Sequence, residues 1–331
     1  MAVMTETTPS CRDAESEFTR FAFTAMGSPC EIFYRARSHA ASEALRESVM
    51  AWLAEFEDAF SFYREDSLVS RINRSAGREG VAIGETAAEL FALCDWFYWL
   101  TGGYFDPTSG PLLRLWDYHD PSRPLPTPAE IEMAQAHVGW SRVEHTPQRC
   151  RLPESGMAID LGGIGKEFAV DKVMELILTT GVRDALVNFG HDVRVVGEAP
   201  QGGAWGVGLE DPRQPGRCWA GLQFDAAAVC SSGDYMRFRM IDGKRYGHIV
   251  DSRTGYPVEN GCLSVTVEAP TCTEAGILST TAFMMGQEEG LDLLTRHFGA
   301  EGAIWTDAGV VRTPGFDRHV VPDSVEREVL S

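Results

Sequence analysis

Residues 158–177 read AIDLGGIGKEFAVDKVMELI, and the pattern of this stretch decides how the rest of the chain is to be read. The apolar run from Met157 to Asp160, ending in an acid, predicts a short strand. Gly162, Gly163 and Gly165 predict a tight turn, and Phe168, Val170, Val173, Leu176 and Ile177 fall at near-helical spacing. Glycines at a helix start let the backbone approach a ligand closely. The unpaired N–H groups of the first turn, with Lys166 beside them, favour a negative group such as a phosphate. A strand-to-helix turn held by glycines for geometry alone is the competing reading. The spacing matches neither the dinucleotide fingerprint GxGxxG nor the P-loop GxxxxGK[ST], so the stretch implies neither nucleotide fold.

The 331 residues, 44% of them apolar, can build one large domain or two ordinary ones with a real core. A formal net charge of -19 argues against nucleic acid or an anionic membrane as the main partner. A phosphate ligand would therefore depend on a local lysine, a metal ion or a helix N-terminus. The first residues carry neither a basic n-region nor an apolar h-region, and no run of apolar residues is long enough to span a bilayer, which sets a cytoplasmic expectation. Eight cysteines without a CxxC pair read as reduced, mostly buried thiols.

Along the chain, residues 1–17 are polar and predict a disordered tail. Phe18 to Arg37 predicts a hairpin turning at Met26-Gly27-Ser28-Pro29, and Ala40 to Phe60 an amphipathic helix. A short helix is expected over Asp66 to Asn73, a buried one over Thr86 to Leu100, and another from Pro128 to about His137. Gly102 to Tyr118 alternates aromatics with turn formers and reads as a packed loop, neither helix nor strand. A strand from Ala185 to Val196 is interrupted by NFGHD. A long hairpin spans Trp205 to Cys230, and Asp242-Gly243 turns a second one. Leu263 to Ala269 predicts a strand, Thr273 to Gly286 and Glu288 to Phe298 predict helices, and Ala303 to Val311 predicts a last hairpin. The acidic residues 323–331 read as a loose tail. Strands and helices mix without regular βαβ alternation, so the expected fold is α+β, one domain over 18–322 of mixed and antiparallel sheets packed with helices.

Four blocks in order, AMGSPCEI with FSFYREDSLVSRIN, GYFDPTSGPLLRLWDY, AIDLGGIGKEFAVDKV with ALVNFGHDVRVVG, and SSGDYMRFRMIDGKRYGHIVDSRTGYPV, resemble the ApbE family of FAD:protein FMN transferases. The resemblance covers roughly Phe18 to Trp305. It implies an enzyme that binds FAD, uses a divalent metal such as Mg2+ to help cleave its pyrophosphate, and passes FMN to a Thr or Ser hydroxyl of a target flavoprotein. It implies that Met26, Tyr63 and Tyr104-Phe105-Asp106 line the FAD site and that Asp160 bonds the cofactor. By the same resemblance Lys166 faces the phosphates, and His248 sits by the pyrophosphate as a proton carrier. The backbone near Gly163 and the side chain of Thr280 match metal-binding positions. Such transfer needs placement of the reactants and neutralisation of phosphate charge more than covalent work.

One departure stands out. Where the family carries an Asp one helical turn before the Thr, this chain has Gly276 before Thr280. A magnesium site commonly relies on one or two carboxylates plus substrate phosphates, so this loss is serious. Glu167 follows Lys166 where the family favours Gly, and His191 takes a glycine position in NFGHD. These two, with Glu274, are candidates for compensation, and drift is the other reading. Two functions stay open. One is FMN transfer to a cytoplasmic target protein by a rearranged site. The alternative is an ApbE-like FAD-binding protein that has lost transfer and uses its flavin for redox or another reaction. A homodimer is the mild expectation for a soluble enzyme.

Overall fold

The computed structural model describes residues 2–3, 18–118, 120, 122–214, 216–234 and 237–321. The tails expected over 1–17 and 323–331 lie outside these residues. The exception is Ala2–Val3, a short strand paired antiparallel with Trp205–Glu210. The chain gathers into two compact units built from separated stretches. The first takes the described parts of Met1–Ala54, Lys166–Gly233 and Gly261–Ser331, and the second takes Glu55–Gly165 with Asp234–Asn260.

The first unit is organised on an eight-stranded sheet. Its spatial order is Gly309–Arg312, Glu301–Thr306, Cys262–Ala269, Ala226–Gly233, Asp192–Val196, Ala185–Phe189, Ser28–Arg35 and Phe18–Ala25. Every neighbouring pair is antiparallel, spatial order follows chain order throughout, and long excursions leave and re-enter the meander between strands. Two of its hairpins turn through two residues in the left-handed region, Met26-Gly27 (φ 50 and 67) and Gly190-His191 (φ 55 and 77). Such turns match the right-handed twist of the flanking strands. One face of the sheet buries Leu186, Val193 and Val195 against Trp205, Val207, Leu222 and Phe224 of the Trp205–Glu210 and Cys218–Phe224 hairpin.

The helix Cys272–Met285 packs on the strands Ala226–Gly233 and Cys262–Ala269. Its first turn is capped twice. The Thr271 hydroxyl accepts from the Glu274 N–H at 3.2 Å, as a Thr cap should. The second cap is Asp171, on the helix Gly165–Thr179. Its carboxylate accepts the Cys272 and Thr273 N–H groups at 2.8 Å each and the Thr273 hydroxyl at 2.6 Å. Arg194 adds a fourth donor at 2.8 Å from the sheet. Asp171 is only 6% exposed. Burial pushes its carboxyl up, and Arg194, Thr273 and Cys272 pull it back.

In the second unit, Ser67 caps the helix Leu68–Arg74 by accepting from the Ser70 N–H. The helix Glu85–Leu100 follows. Thr127 and Glu130 form a reciprocal capping box on Pro128–Gln135. Asp242 (φ 51) and Gly243 turn the hairpin Phe238–Ile241 and Lys244–Gly247 as its sequence requires. Two expectations fail here. Within Gly102 to Tyr118 the residues Gly110–Trp116 form a helix: Pro111 opens it, and Leu112 and Trp116, four apart, are buried with Ile131. Met157 to Asp160 is not a strand. It makes a single bridge, Ala158 to Ser109, because a side chain takes the place of a partner strand. The Asn73 amide accepts from the Ile159 N–H at 2.7 Å and donates to the Ile159 carbonyl at 2.9 Å, while the Asp160 N–H goes to the Pro107 carbonyl.

Removing Asp171 strands the Arg194 guanidinium and two backbone donors at once. Asp171→Ala is therefore expected to lower the unfolding free energy by about 3–5 kcal/mol. Denaturant unfolding of the purified variant measures this, and a loss below about 1 kcal/mol, the size of an ordinary cap, would show that the carboxylate does not tie the two helices together.

Candidate functional site

The residues singled out in sequence divide between the units. Met26, Lys166 and Thr280 belong to the first, with Glu167, His191 and Gly276. Tyr63, Tyr104, Phe105, Asp106, Asp160, Gly163 and His248 belong to the second.

In the first unit, two hairpin tips lie side by side. The Gly190 N–H donates to the Pro29 carbonyl at 2.9 Å, and a Cβ at Gly190 would meet the Ser28 hydroxyl at 2.9 Å. Glycine is required there by both its positive φ and this close approach. Met26 holds a left-handed conformation without being glycine, at a cost of about 1–2 kcal/mol. His191 is exposed at the neighbouring tip, and its N–H is bonded to the Asn188 side chain. Lys166, in the first turn of Gly165–Thr179, extends toward this corner. Its ammonium donates to the Phe189 carbonyl at 3.4 Å, pairs closely with Asp192, and lies 3.5 Å from Glu167 Oε1. Thus Lys166 positions the corner as well as charging it.

Gly276 explains itself at this point. A Cβ on it would stand 2.5 Å from Glu167 Cγ, so the stem of Glu167 crosses the helix face where a side chain at 276 would begin. Glu167 is 9% exposed, and its Oε2 has no hydrogen-bond partner among the described residues. Thr280, one turn beyond Gly276, has its hydroxyl 2.8 Å from that of Ser232. Glu274 is engaged elsewhere, its carboxylate 2.5 Å from His297 Nε2. No cluster of three or more His, Cys, Asp or Glu that could hold a metal occurs among the described residues. A hard cation on this face would rest on one carboxylate and hydroxyls, with water completing its shell until substrate oxygens replace it. An orphaned buried carboxylate oxygen beside a glycine cradle fits such a group.

In the second unit, Gly102 (φ 60) and Gly103 (φ 82) end the helix Glu85–Leu100 and lead into Tyr104 and Phe105, both half-buried. The Thr101 hydroxyl fixes that turn, donating to the Phe97 carbonyl and accepting from the Phe105 N–H. The Arg253 guanidinium lies over the Tyr104 ring, 3.2 Å from its centre, and is held by Asp251. Asp106 faces inward. Its carboxylate accepts the Thr108 N–H at 2.7 Å, the Thr108 hydroxyl at 2.5 Å and the Trp140 N–H at 3.1 Å, and burial pushes it up. It secures the loop that carries the two aromatics. The Asp160 carboxylate accepts the Gly162 N–H at 2.7 Å; burial raises it, with Gly162 and Arg114 opposing. A Cβ at Gly163 would sit 4.0 Å from the Phe105 ring. Tyr63 is exposed beside a cavity of about 200 Å³ that Phe62, Asn73 and Arg114 also line, with Arg114 stacked 4.6 Å from the Phe62 ring.

His248 follows the hairpin Phe238–Ile241 and Lys244–Gly247. Its Nδ1 lies 3.1 Å from the Arg237 carbonyl, and its ring meets Tyr118 edge-on. A carbonyl can only accept, so Nδ1 carries the proton and Nε2 presents a lone pair. Burial, with help from the Arg237 charge, brings its pKa down to about 4. At neutral pH the imidazole is therefore unprotonated with a fixed tautomer, free to accept a proton through Nε2, while its lowered basicity leaves it a weaker acceptor than a histidine that titrates near the working pH. Asn73, Asp171, Asp192, Ser232 and Arg253 were missed as functional positions. All five stand inside the quoted blocks, but their roles depend on partners distant in sequence.

The sequence profile of the ApbE family matches residues 26–304. An FAD:protein FMN transferase of Treponema pallidum is 31% identical over 90% of this chain and 88% of its own. One from Klebsiella pneumoniae is 32% identical over 80% and 82%. Among solved structures, the ApbE protein of Thermotoga maritima superposes with a TM-score of 0.83 at 31% identity, covering 94% of this chain and all of its own. The apo flavinyl transferase ApbE of Pseudomonas stutzeri gives 0.82 at 29%, covering 93% and 98%.

The depressed basicity of His248 has a direct readout. In a histidine-labelled sample its imidazole resonances should remain those of the neutral Nδ1–H tautomer at pH 6 and titrate near 4. A midpoint at the ordinary ~6.5 would show that the ring is solvated and free.

Proposed function

The chain belongs to the ApbE family, and on that premise we propose that it is an FAD:protein FMN transferase whose domain runs over residues 18–322. The observation that carries the reading is its likeness, over nearly the whole length of both chains, to a transferase of that activity. In the reaction a Thr or Ser hydroxyl of a target flavoprotein attacks the FMN phosphorus of FAD. The new P–O bond forms as the bond to the AMP phosphate breaks, and AMP leaves. The hydroxyl proton must go to a base.

Neutral His248 is the base this chain offers, through Nε2, with Nδ1–H bonded to the Arg237 carbonyl, which fixes the tautomer. Lys166 supplies positive charge for the phosphate oxygens, and through Phe189 and Asp192 it fixes the helix start. Tyr63, Tyr104 and Phe105 offer aromatic surface for the ring systems of FAD, Met26 an apolar tip, and Asp160 a carboxylate for a ring or ribose donor. Asp106 holds the Tyr104-Phe105 loop in place. A divalent cation, Mg2+ in this reading, would be held by Glu167 and Thr280, and when bound supplies charge neutralisation on the pyrophosphate.

The position of Gly276 keeps a second reading alive, an FAD-holding relative without transfer. AMP release from FAD by the purified protein, with and without Mg2+, separates the two. Magnesium-dependent AMP is expected, with kcat falling about 10²–10⁴-fold in His248→Ala while KM for FAD stays within a few-fold. Bound FAD without AMP from the wild type, under every condition and with any acceptor hydroxyl, would overturn the transferase reading in favour of the second.

A further inference from the structure

The glycine at 276 and the glutamate at 167 are two halves of one feature. A glutamate stem passes within 2.5 Å of the point where any side chain at 276 would begin, so the two positions cannot both carry a side chain in this arrangement. The carboxylate has not left this face; it reaches it from the neighbouring helix. It arrives with one oxygen, Oε1, 3.5 Å from Lys166 and the other, Oε2, buried and without a partner among the described residues. Lys166 is already in close contact with Asp192, so this corner holds two carboxylates and one ammonium. A buried carboxylate with an idle oxygen is costly unless a cation answers it.

The hydroxyls beside it carry the second observation, because their protons can be counted. Ser279 Oγ lies 3.0 Å from the Gly276 carbonyl, which can only accept, so Ser279 donates to it. Ser232 Oγ lies 2.8 Å from Ser279 Oγ and 2.8 Å from Thr280 Oγ1. With the Ser279 proton spent, Ser232 must donate to Ser279, and Thr280 must then donate to Ser232. The relay ends with Thr280 Oγ1 having given its proton inward and keeping its lone pairs for an outside ligand. Such an oxygen suits a hard cation and cannot donate to a phosphate. Thr280 lies four residues from Gly276, about 6 Å along the same helix face at 1.5 Å per residue.

We propose that Glu167 is the cation-binding carboxylate of this protein, relocated from position 276 onto the Gly165–Thr179 helix, and that it acts with the proton-polarised hydroxyl of Thr280 on a divalent metal ion. The inference rests on the metal-assisted reading above. The swap accounts for both departures at once: a glutamate where a glycine would leave the face bare, and a glycine where a carboxylate would collide with it.

The test is Mn2+ binding to the full-length protein, followed by the loss of the free-ion EPR signal without FAD and independently of turnover. Glu167→Gln should weaken Mn2+ binding at least about tenfold, since even supporting residues around a metal cost that much. Thr280→Val should weaken it as well. The double variant Glu167→Gly with Gly276→Asp returns the carboxylate from the facing helix and should recover binding to within about threefold of wild type. That recovery also guards against a Glu167 variant that merely misfolds. Mn2+ binding in Glu167→Gln equal to wild type, or no Mn2+ binding by the wild type, overturns the inference. Binding that follows the swap in a protein releasing no AMP would leave the inference standing and remove the transferase reading instead. Magnesium-dependent AMP release with unchanged Mn2+ binding in Glu167→Gln would do the reverse.

Discussion

The buried carboxylate of Asp171 is the constraint on which the first unit turns. One side chain receives two backbone donors and a hydroxyl from the start of the Cys272–Met285 helix and an arginine from the sheet. Those donors would otherwise face an apolar interior, so the carboxylate and the helix end determine each other's place. The next contact follows from this one. Moving back four residues on one helix, from Asp171 to Glu167, and forward four on the other, from Cys272 to Gly276, gives the meeting of Glu167 with Gly276. Equal and opposite steps along a contact line mean that the helices run antiparallel there. The spacing of the candidate site is thereby set one turn away from it, by a bond that has no chemistry of its own.

Much of the fold was legible because its signals are local. Met26-Gly27 and Asp242-Gly243 turn where glycine and its neighbours permit a positive φ, and Pro128 opens a helix where the sequence placed one. The two misreadings share a cause. Met157 to Asp160 has a strand's apolar character, but its pairing groups are taken by the amide of Asn73, 86 residues earlier. Gly110–Trp116 becomes helical because Leu112 and Trp116 have Ile131 to pack on, a partner that no window around Gly102 to Tyr118 contains. In the candidate site, Lys166 is singled out by its place after the glycine turn and His248 by the block that resembles the family. The role of Gly276 could not, since a glycine's meaning lies in what approaches it.

Electrostatics explain how an acidic protein can handle an anionic substrate. A net charge of -19 repels FAD at a distance, yet repulsion between solvated charges is screened beyond about 10 Å at ordinary salt. What matters within that range is local and partly dry. Lys166 is held by Phe189 and Asp192, Arg114 by the Phe62 ring, and Arg253 by Asp251 over the Tyr104 ring. Each cation is fixed by neighbours in its own unit, so little side-chain entropy remains to be lost when an anion arrives.

The meander has a consequence for how the chain is made. Its strands follow one another in space in the order of synthesis, but the Phe18–Arg35 hairpin leaves the ribosome long before Ala185–Phe189, the strand it must pair with. Shorter waits separate Asp192–Val196 from Ala226–Gly233, Ala226–Gly233 from Cys262–Ala269, and Cys262–Ala269 from Glu301–Thr306. At each pause an apolar strand edge stands open, and contacts of such sequence separation form slowly. During translation the longest of these waits, before Ala185–Phe189 emerges, is thus the interval in which the nascent chain is most open to aggregation and most dependent on chaperones.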